Sequence, residues 1–187
     1  MTRFARHLVH LLLAPALIFS LGAEAMASGS RSSSPHMDAG GRYAVPFAFI
    51  IFCVRNPAEC RTASADEVRL NNELMATLQS VNRSVNRSIR PQNERGDVWA
   101  INVVTGDCED YALTKRSRLI AAGFPPGALR IAIVRIASGE GHAVLVVKTD
   151  EADLVLDNRT NTIKPWNETG LRWVAMSGAN PRQWSNI

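Results

Sequence analysis

The sequence predicts an α+β domain, helical in its first half and built on an antiparallel sheet in its second. Three observations carry that prediction. Apolar residues recur at intervals of three and four from Asp66 to Ile89 and again from Cys108 to Ala122. Beyond Pro125-Pro126 the pattern changes to three short β-rich runs separated by turn residues. Helix, helix and then a meander of strands is the order of an α+β fold, with helices packed against one sheet.

The chain opens with Arg3 and Arg6, then the apolar run Leu11 to Phe19, then small residues around Ala23-Glu24-Ala25 and Ala25-Met26-Ala27. This reads as a secretory signal peptide over residues 1–27. An uncleaved anchor is the alternative, but the apolar stretch is short for a bilayer span. A periplasmic location is therefore expected. Removal of residues 1–27 leaves 19 basic against 16 acidic residues. That mild excess, without basic runs interleaved with aromatics, argues against nucleic acid as a partner. Arg83, Arg87 and Arg90 read as a solvated helix face.

Residues 28–42 are rich in Ser and Gly and are expected to form a flexible tail, leaving 43–187 as one domain with a sizeable core. The run Ala44 to Val54 is too short to cross a membrane and reads as a buried strand or packed segment, so no transmembrane segment is expected in the mature chain. Asn56-Pro57 then forms a turn between Cys53 and Cys60. In an oxidising compartment these two cysteines are expected to form a disulfide. A zinc site would need more ligands than are present.

The Asp66–Ile89 helix carries Val68, Leu74, Met75, Leu78, Val81 and Val85 on one face, with Asp66 or Ser64 as its cap. Within it, Val81-Asn82-Arg83-Ser84 is echoed by Val85-Asn86-Arg87-Ser88, two copies being too few for a repeat architecture. The Cys108–Ala122 helix buries a face set by Tyr111, Ala112, Lys115, Leu119 and Ile120, and Gly123 is placed to end it. Strands follow at Leu129–Ala137, His142–Thr149 and Leu154–Asp157.

With Cys53 and Cys60 paired, Cys108 is the odd cysteine. It stands in Gly106-Asp107-Cys108-Glu109-Asp110-Tyr111-Ala112, at the first turn of a helix, where unsatisfied N–H groups and the helix dipole favour a thiolate. A nucleophilic cysteine needs a base and a group to orient it. His7 and His10 lie in the signal peptide and His36 in the tail, which leaves His142. A hairpin turning near residues 150–152 brings Asp157 to within one to three residues of the position opposite His142, so Asp157 is the candidate orienter. Asp153 is the alternative, but it is expected to be solvated in the turn. Trp99 and Asn102 are candidates for the cleft wall, Trp99 reading more readily as core.

Taken together, the Phe-Cys-Val-Arg-Asn-Pro-Ala-Glu-Cys segment, Trp99, Gly-Asp-Cys-Glu-Asp-Tyr-Ala, Gly-His-Ala-Val-Leu and Leu-Asp-Asn resemble the bacterial transglutaminase-like cysteine peptidases. The resemblance implies a papain-like, transglutaminase-like fold and a catalytic order reproduced by Cys108, His142 and Asp157. It implies calcium, since Asp107 and Glu109 match the positions where adhesin-cleaving members bind Ca²⁺, with Asp110 able to contribute. Oxygen ligands suit that ion. The same acids also read as helix capping, Asp107 as N-cap with Asp110 three residues on. The partners implied are a protein substrate such as a surface adhesin whose cleavage releases biofilm cells, and an inner-membrane regulatory receptor. Two other functions stay open: a transglutaminase or amidase acting on glutamine side chains, and a non-catalytic calcium-binding regulatory module.

Overall fold

The computed structural model describes residues 34–62, 65–93 and 96–187. The expected signal peptide, residues 28–33 of the expected tail and Ser64 lie outside them. Among the described residues, a seven-stranded sheet carries the fold, its centre formed by β4 (Leu129–Arg135), β5 (Gly141–Lys148) and β6 (Asp153–Leu156). The short strands β1 (Arg42–Tyr43) and β7 (Lys164–Pro165) close its edges, and β8 (Arg172–Ser177) and β9 (Trp184–Asn186) lie between β1 and β4. Neighbours in this sheet pair antiparallel.

β5 reads as an unbroken apolar run because both its faces are covered. Leu145 and Val147 pack into the main core with Phe49, Phe52, Leu78, Leu113 and Leu119. Val144 and Val146 pack into a second cluster with Ala132, Val134, Val155 and Met176.

Helix α1 (Phe47–Arg55) occupies the run expected as a buried strand or packed segment. Its buried residues are Ala48, Phe49, Phe52 and Cys53, a helical stripe at i, i+1, i+4 and i+5. Pro46 precedes its first turn, where a missing N–H costs nothing, and Asn56 donates from both its backbone and its side chain to Phe52 O at the other end. Burying Phe49 and Phe52 contributes about 1.5–3 kcal/mol each. The last turn of α1 is joined to the next by the Cys53–Cys60 disulfide.

Helix α2 (Asn72–Ser88) starts six residues later than the periodicity implies. The backbone before it is extended: Val68 N–H donates to Lys148 O and Val68 O accepts from Asp150 N–H, alongside the end of β5. The helix therefore starts at Asn71, whose side chain accepts from Leu74 N–H at 2.8 Å, and Asp66 does not cap it.

A two-stranded parallel pair, β2 (Arg90–Pro91) and β3 (Thr105–Gly106), leads into α3 (Cys108–Ala121). At the other end of α3, Gly123 at φ +94° lets Phe124 N–H reach Leu119 O and Gly123 N–H reach Ile120 O, a Schellman close. α3 packs on β5 and α2 packs on α3.

The segment 34–42, expected as flexible, is held along its length. Ser34 O accepts from Trp166 Nε1 and Asn167 Nδ2, and Arg42 pairs with Ser185. Met37 is buried, with its N–H 2.8 Å from Asp153 Oδ2. Composition reports Ser and Gly content, whereas order here comes from an apolar anchor and a carboxylate more than a hundred residues away. Asp153, expected in a solvated turn, is the fully buried first residue of β6 and also pairs with Lys148 Nζ at 2.7 Å.

Candidate active site

Cys108 is the first residue of α3, placed there by the turn that leaves β3 at Gly106. That glycine is required by its neighbour: a Cβ at Gly106 would collide with the carboxylate of Asp110. Asp110 is fully buried and accepts Ala100 N–H at 2.8 Å, tying the loop before β3 to the first turn of α3. Asn102, at φ 57°, donates its N–H to Thr114 Oγ1 in the same way.

His142 stands near the start of β5, and the register of β5 with β6 pairs Leu145 with Leu156. Continued one step, that register sets Asp157 opposite Val144, two residues from His142 on the same strand face. The result is a direct contact, His142 Nε2 to Asp157 Oδ1 at 2.9 Å, with both side chains largely buried. Asp157 Oδ1 also accepts from Arg159 N–H at 2.9 Å. Burial alone would raise the Asp157 carboxyl, but the hydrogen bonds from His142 and Arg159 outweigh it and hold it below its usual value.

Cys108 and His142 line one cleft of about 250 Å³, with Pro91, Gln92, Asn93, Asn158 and Arg159 in its wall. A larger hollow beside α1, lined by Val45, Phe49, Ile50 and Val54, holds no free thiol or histidine. Trp99 does not wall the cleft; it packs edge-on to Phe49 in the core and donates Nε1–H to Asp97. Asn102 does not line the cleft either; the residue is exposed, and its backbone N–H is bonded to Thr114 Oγ1. Part of the wall comes from residues 91–93, which sequence reading passed over. Their signal was Pro91 itself, which follows the end of α2 in an extended segment whose Gln92 N–H pairs with Gly106 O, two residues before Cys108.

The Cys108 thiol donates to Glu109 Oε2 at 3.1 Å. Burial, then the charge and hydrogen bond of Glu109, hold the thiol well above its ordinary value, while the Ala143 backbone N–H works in the opposite direction. Glu109 is itself pushed up to about 7, first by burial and then by a hydrogen bond with Asp107. Asp107 occupies the N-cap position yet makes no side-chain capping bond, so the capping reading fails on geometry. Of the three acids singled out, Asp107 and Glu109 come together, while an Asp110 oxygen is committed to Ala100. Among the described residues no cluster of three or more His, Cys, Asp or Glu is arranged around a common metal position. The crowded Asp107–Glu109 pair nonetheless fits a hard cation, which would satisfy both carboxylates without a shared proton.

Beneath Asp157 lies Lys115, fully buried on α3, with Nζ 3.5 Å from Leu156 O. Burial lowers its pKa to about 7, partly offset by the Asp157 charge.

A helix-initial thiol sharing a cleft with a His–Asp pair on an antiparallel sheet is the arrangement of papain-like and transglutaminase-like cysteine enzymes. The profile of the bacterial transglutaminase-like cysteine proteinases (BTLCP) matches residues 39–187, and the chain belongs to that family. Solved structures of Legionella pneumophila LapG are similar to it. The calcium-bound form aligns at 26% identity and a TM-score of 0.52 over 57% of this chain and 66% of that one. A second LapG structure aligns at 28% and 0.53 over 60% and 68%, and an EGTA-treated one at 28% and 0.51 over 57% and 64%. The chain thus spans just under two thirds of the calcium-bound LapG chain. No curated protein matches the chain.

Proposed function

We propose that the chain is an exported, calcium-dependent cysteine peptidase in which Cys108 is the nucleophile, His142 the acid–base and Asp157 its orienter. The observation that carries this reading is the 2.9 Å His142–Asp157 contact in the same cleft as the one free cysteine among the described residues. With Nε2 engaged by Asp157, Nδ1 is the ring nitrogen left to take the Cys108 proton. The sulfur then attacks the scissile carbonyl carbon, forming a C–S bond, and the carbonyl oxygen becomes an oxyanion. The Cys108 N–H, at the first position of α3, has no partner within the helix and is free to donate to that oxygen. Collapse of the tetrahedral species breaks the C–N bond, and the His142 proton leaves on the amine. His142 next takes a proton from water, whose oxygen attacks the thioester; the C–S bond breaks and the proton returns to sulfur.

Asp107 and Glu109 would hold calcium. It would supply positive charge that cancels the carboxylate penalty on the Cys108 thiolate and orders the first turn. The family resemblance and the LapG structures in calcium-bound and EGTA-treated forms support calcium here. The N-terminal sequence supports export, and the resemblance supports a surface adhesin as substrate and control by an inner-membrane receptor.

Incubation with an unfolded protein mixture and a fluorescent primary amine tests the reading. The expected result is new protein N-termini, found by mass spectrometry, in calcium but not in EGTA or in Cys108→Ala. Amine incorporation at glutamine without new N-termini would make the chain a transglutaminase. Absence of both products would favour the non-catalytic calcium-binding module.

A further inference from the structure

The tandem Val-Asn-Arg-Ser copies on α2 take no part in the chemistry above, yet each position does the same job twice. Val81 and Val85 face inward, Val85 fully buried, and Arg83 and Arg87 face solvent. Ser84 and Ser88 hydroxyls bond back to the carbonyls of Val81 and Val85. A spacing of four is close to one helical turn, so the two asparagines stack on one face of α2.

That face meets the loop leaving β6. Asn86 Nδ2 donates to Asp157 O at 3.2 Å, Thr160 O at 3.1 Å and Asn161 Oδ1 at 3.1 Å. Asn82, fully buried, directs Nδ2 to Thr160 O at 3.2 Å and Asn161 O at 3.3 Å. Both ends of the loop are therefore fastened to one helix. The side chain of Asp157 is fastened within the same loop by Arg159 N–H and, across the strands, by His142 Nε2.

We propose that Asn82 and Asn86 are positioning residues for Asp157, a two-rung amide clamp that fixes the 157–161 loop and through it the orientation of His142. The inference rests on the triad reading above. Its physical content is that Asp157 has two duties on one carboxylate oxygen, accepting from the loop and from the imidazole, and can serve both only while the loop backbone is held. Asn86, which grips the Asp157 carbonyl itself, carries more of the effect than Asn82, which grips only the far end. Val81 and Val85 set the depth of α2 in the core, so the two amides stand at the height of the loop.

Two readouts test the clamp in the full chain: the ring N–H signals of His142 in protein labelled with ¹⁵N-histidine, assigned by their loss in His142→Gln, and the rate of iodoacetamide labelling of Cys108 in calcium. His142→Gln is expected to slow labelling relative to wild type; no slowing would overturn the triad reading itself. With that established, Asn86→Leu, similar in size and without a donor, is expected to shift or exchange-broaden the His142 Nε2–H signal and slow labelling about tenfold to a hundredfold, as a misplaced reacting group does. Asn82→Ala is expected to do the same to a smaller degree. Thermal unfolding identifies folded variants. If Asn86→Leu does not fold, Asn161→Ala, which removes one acceptor at an exposed position, is expected to move the ring signal in the same direction. A folded variant with an unchanged His142 signal and an unchanged labelling rate would overturn the clamp.

Discussion

The thiol of Cys108 is hydrogen-bonded to Glu109 Oε2 at 3.1 Å, so the proposed nucleophile and the adjacent carboxylate hold each other. That contact favours the thiol over the thiolate, and it is the contact a cation between Asp107 and Glu109 would relieve. Glu109→Gln removes the charge while keeping the shape. In EGTA, Cys108 in Glu109→Gln is expected to be alkylated faster than wild-type Cys108, and added calcium is expected to change its rate little. A variant that labels as slowly as wild type in EGTA and responds fully to calcium would show that Glu109 does not restrain the thiol.

Gly106 is held to glycine by the carboxylate of Asp110, which a Cβ would strike. Gly106→Ala must displace either β3 or the buried Asp110–Ala100 bond, an overpacking cost of about 1–3 kcal/mol. Gly141 is the comparison, since nothing lies within 4 Å of a Cβ there and its φ is unexceptional. Gly141→Ala is expected to stay within about 0.5 kcal/mol of wild type in chemical denaturation. Equal effects at the two positions would contradict the packing account.

Lys115 gives the fold a pH dependence of definite sign. Its pKa is about 7 in the folded chain against an ordinary 10.5, so between these values the unfolded chain binds the extra proton. Stability from this group therefore rises with pH across that window, and the full cost of burying the ammonium is present below pH 7. Lys115→Met removes that cost. It is expected to be more stable than wild type at pH 6, by about 1–4 kcal/mol, with the advantage shrinking as pH rises towards 9. A variant less stable than wild type at pH 6 would mean that its bond to Leu156 O outweighs desolvation.

The Cys53–Cys60 disulfide closes a short loop, for which chain entropy gives about 2–3 kcal/mol. Cys53→Ser/Cys60→Ser is expected to lose that amount of unfolding free energy in denaturant titration, with Cys108 labelling unchanged in the folded protein. Slower labelling at low denaturant would connect the α1 segment to the cleft, which the present geometry does not.

The parts of the site legible in the sequence were those set by local rules. A turn before an amphipathic run fixes a helix start, so Cys108 could be placed at the first turn of α3; hairpin register could carry His142 to Asp157. What escaped reading depends on partners distant in sequence. Phe49 and Phe52 form a stripe compatible with strand or helix until the residues they pack on are known. The 34–42 segment looks like linker until Asp153 and Trp166 are placed beside it. The start of α2 is decided by β5, which takes up the backbone of Val68. The repeated Val-Asn-Arg-Ser quartet was visible, but its targets at 157–161 were not. Asp107 fits a capping rule in sequence, and only geometry shows its carboxylate turned to Glu109 instead.

The central claim is that His142 and Asp157 make Cys108 a nucleophile, and iodoacetamide labelling of the oxidised protein in calcium tests it most directly, with the modified residue mapped by mass spectrometry. Labelling confined to Cys108, faster than a free model thiol and slowed in both His142→Ala and Asp157→Ala, is the predicted result. Labelling at the free-thiol rate, or as fast in the two variants as in wild type, would contradict it.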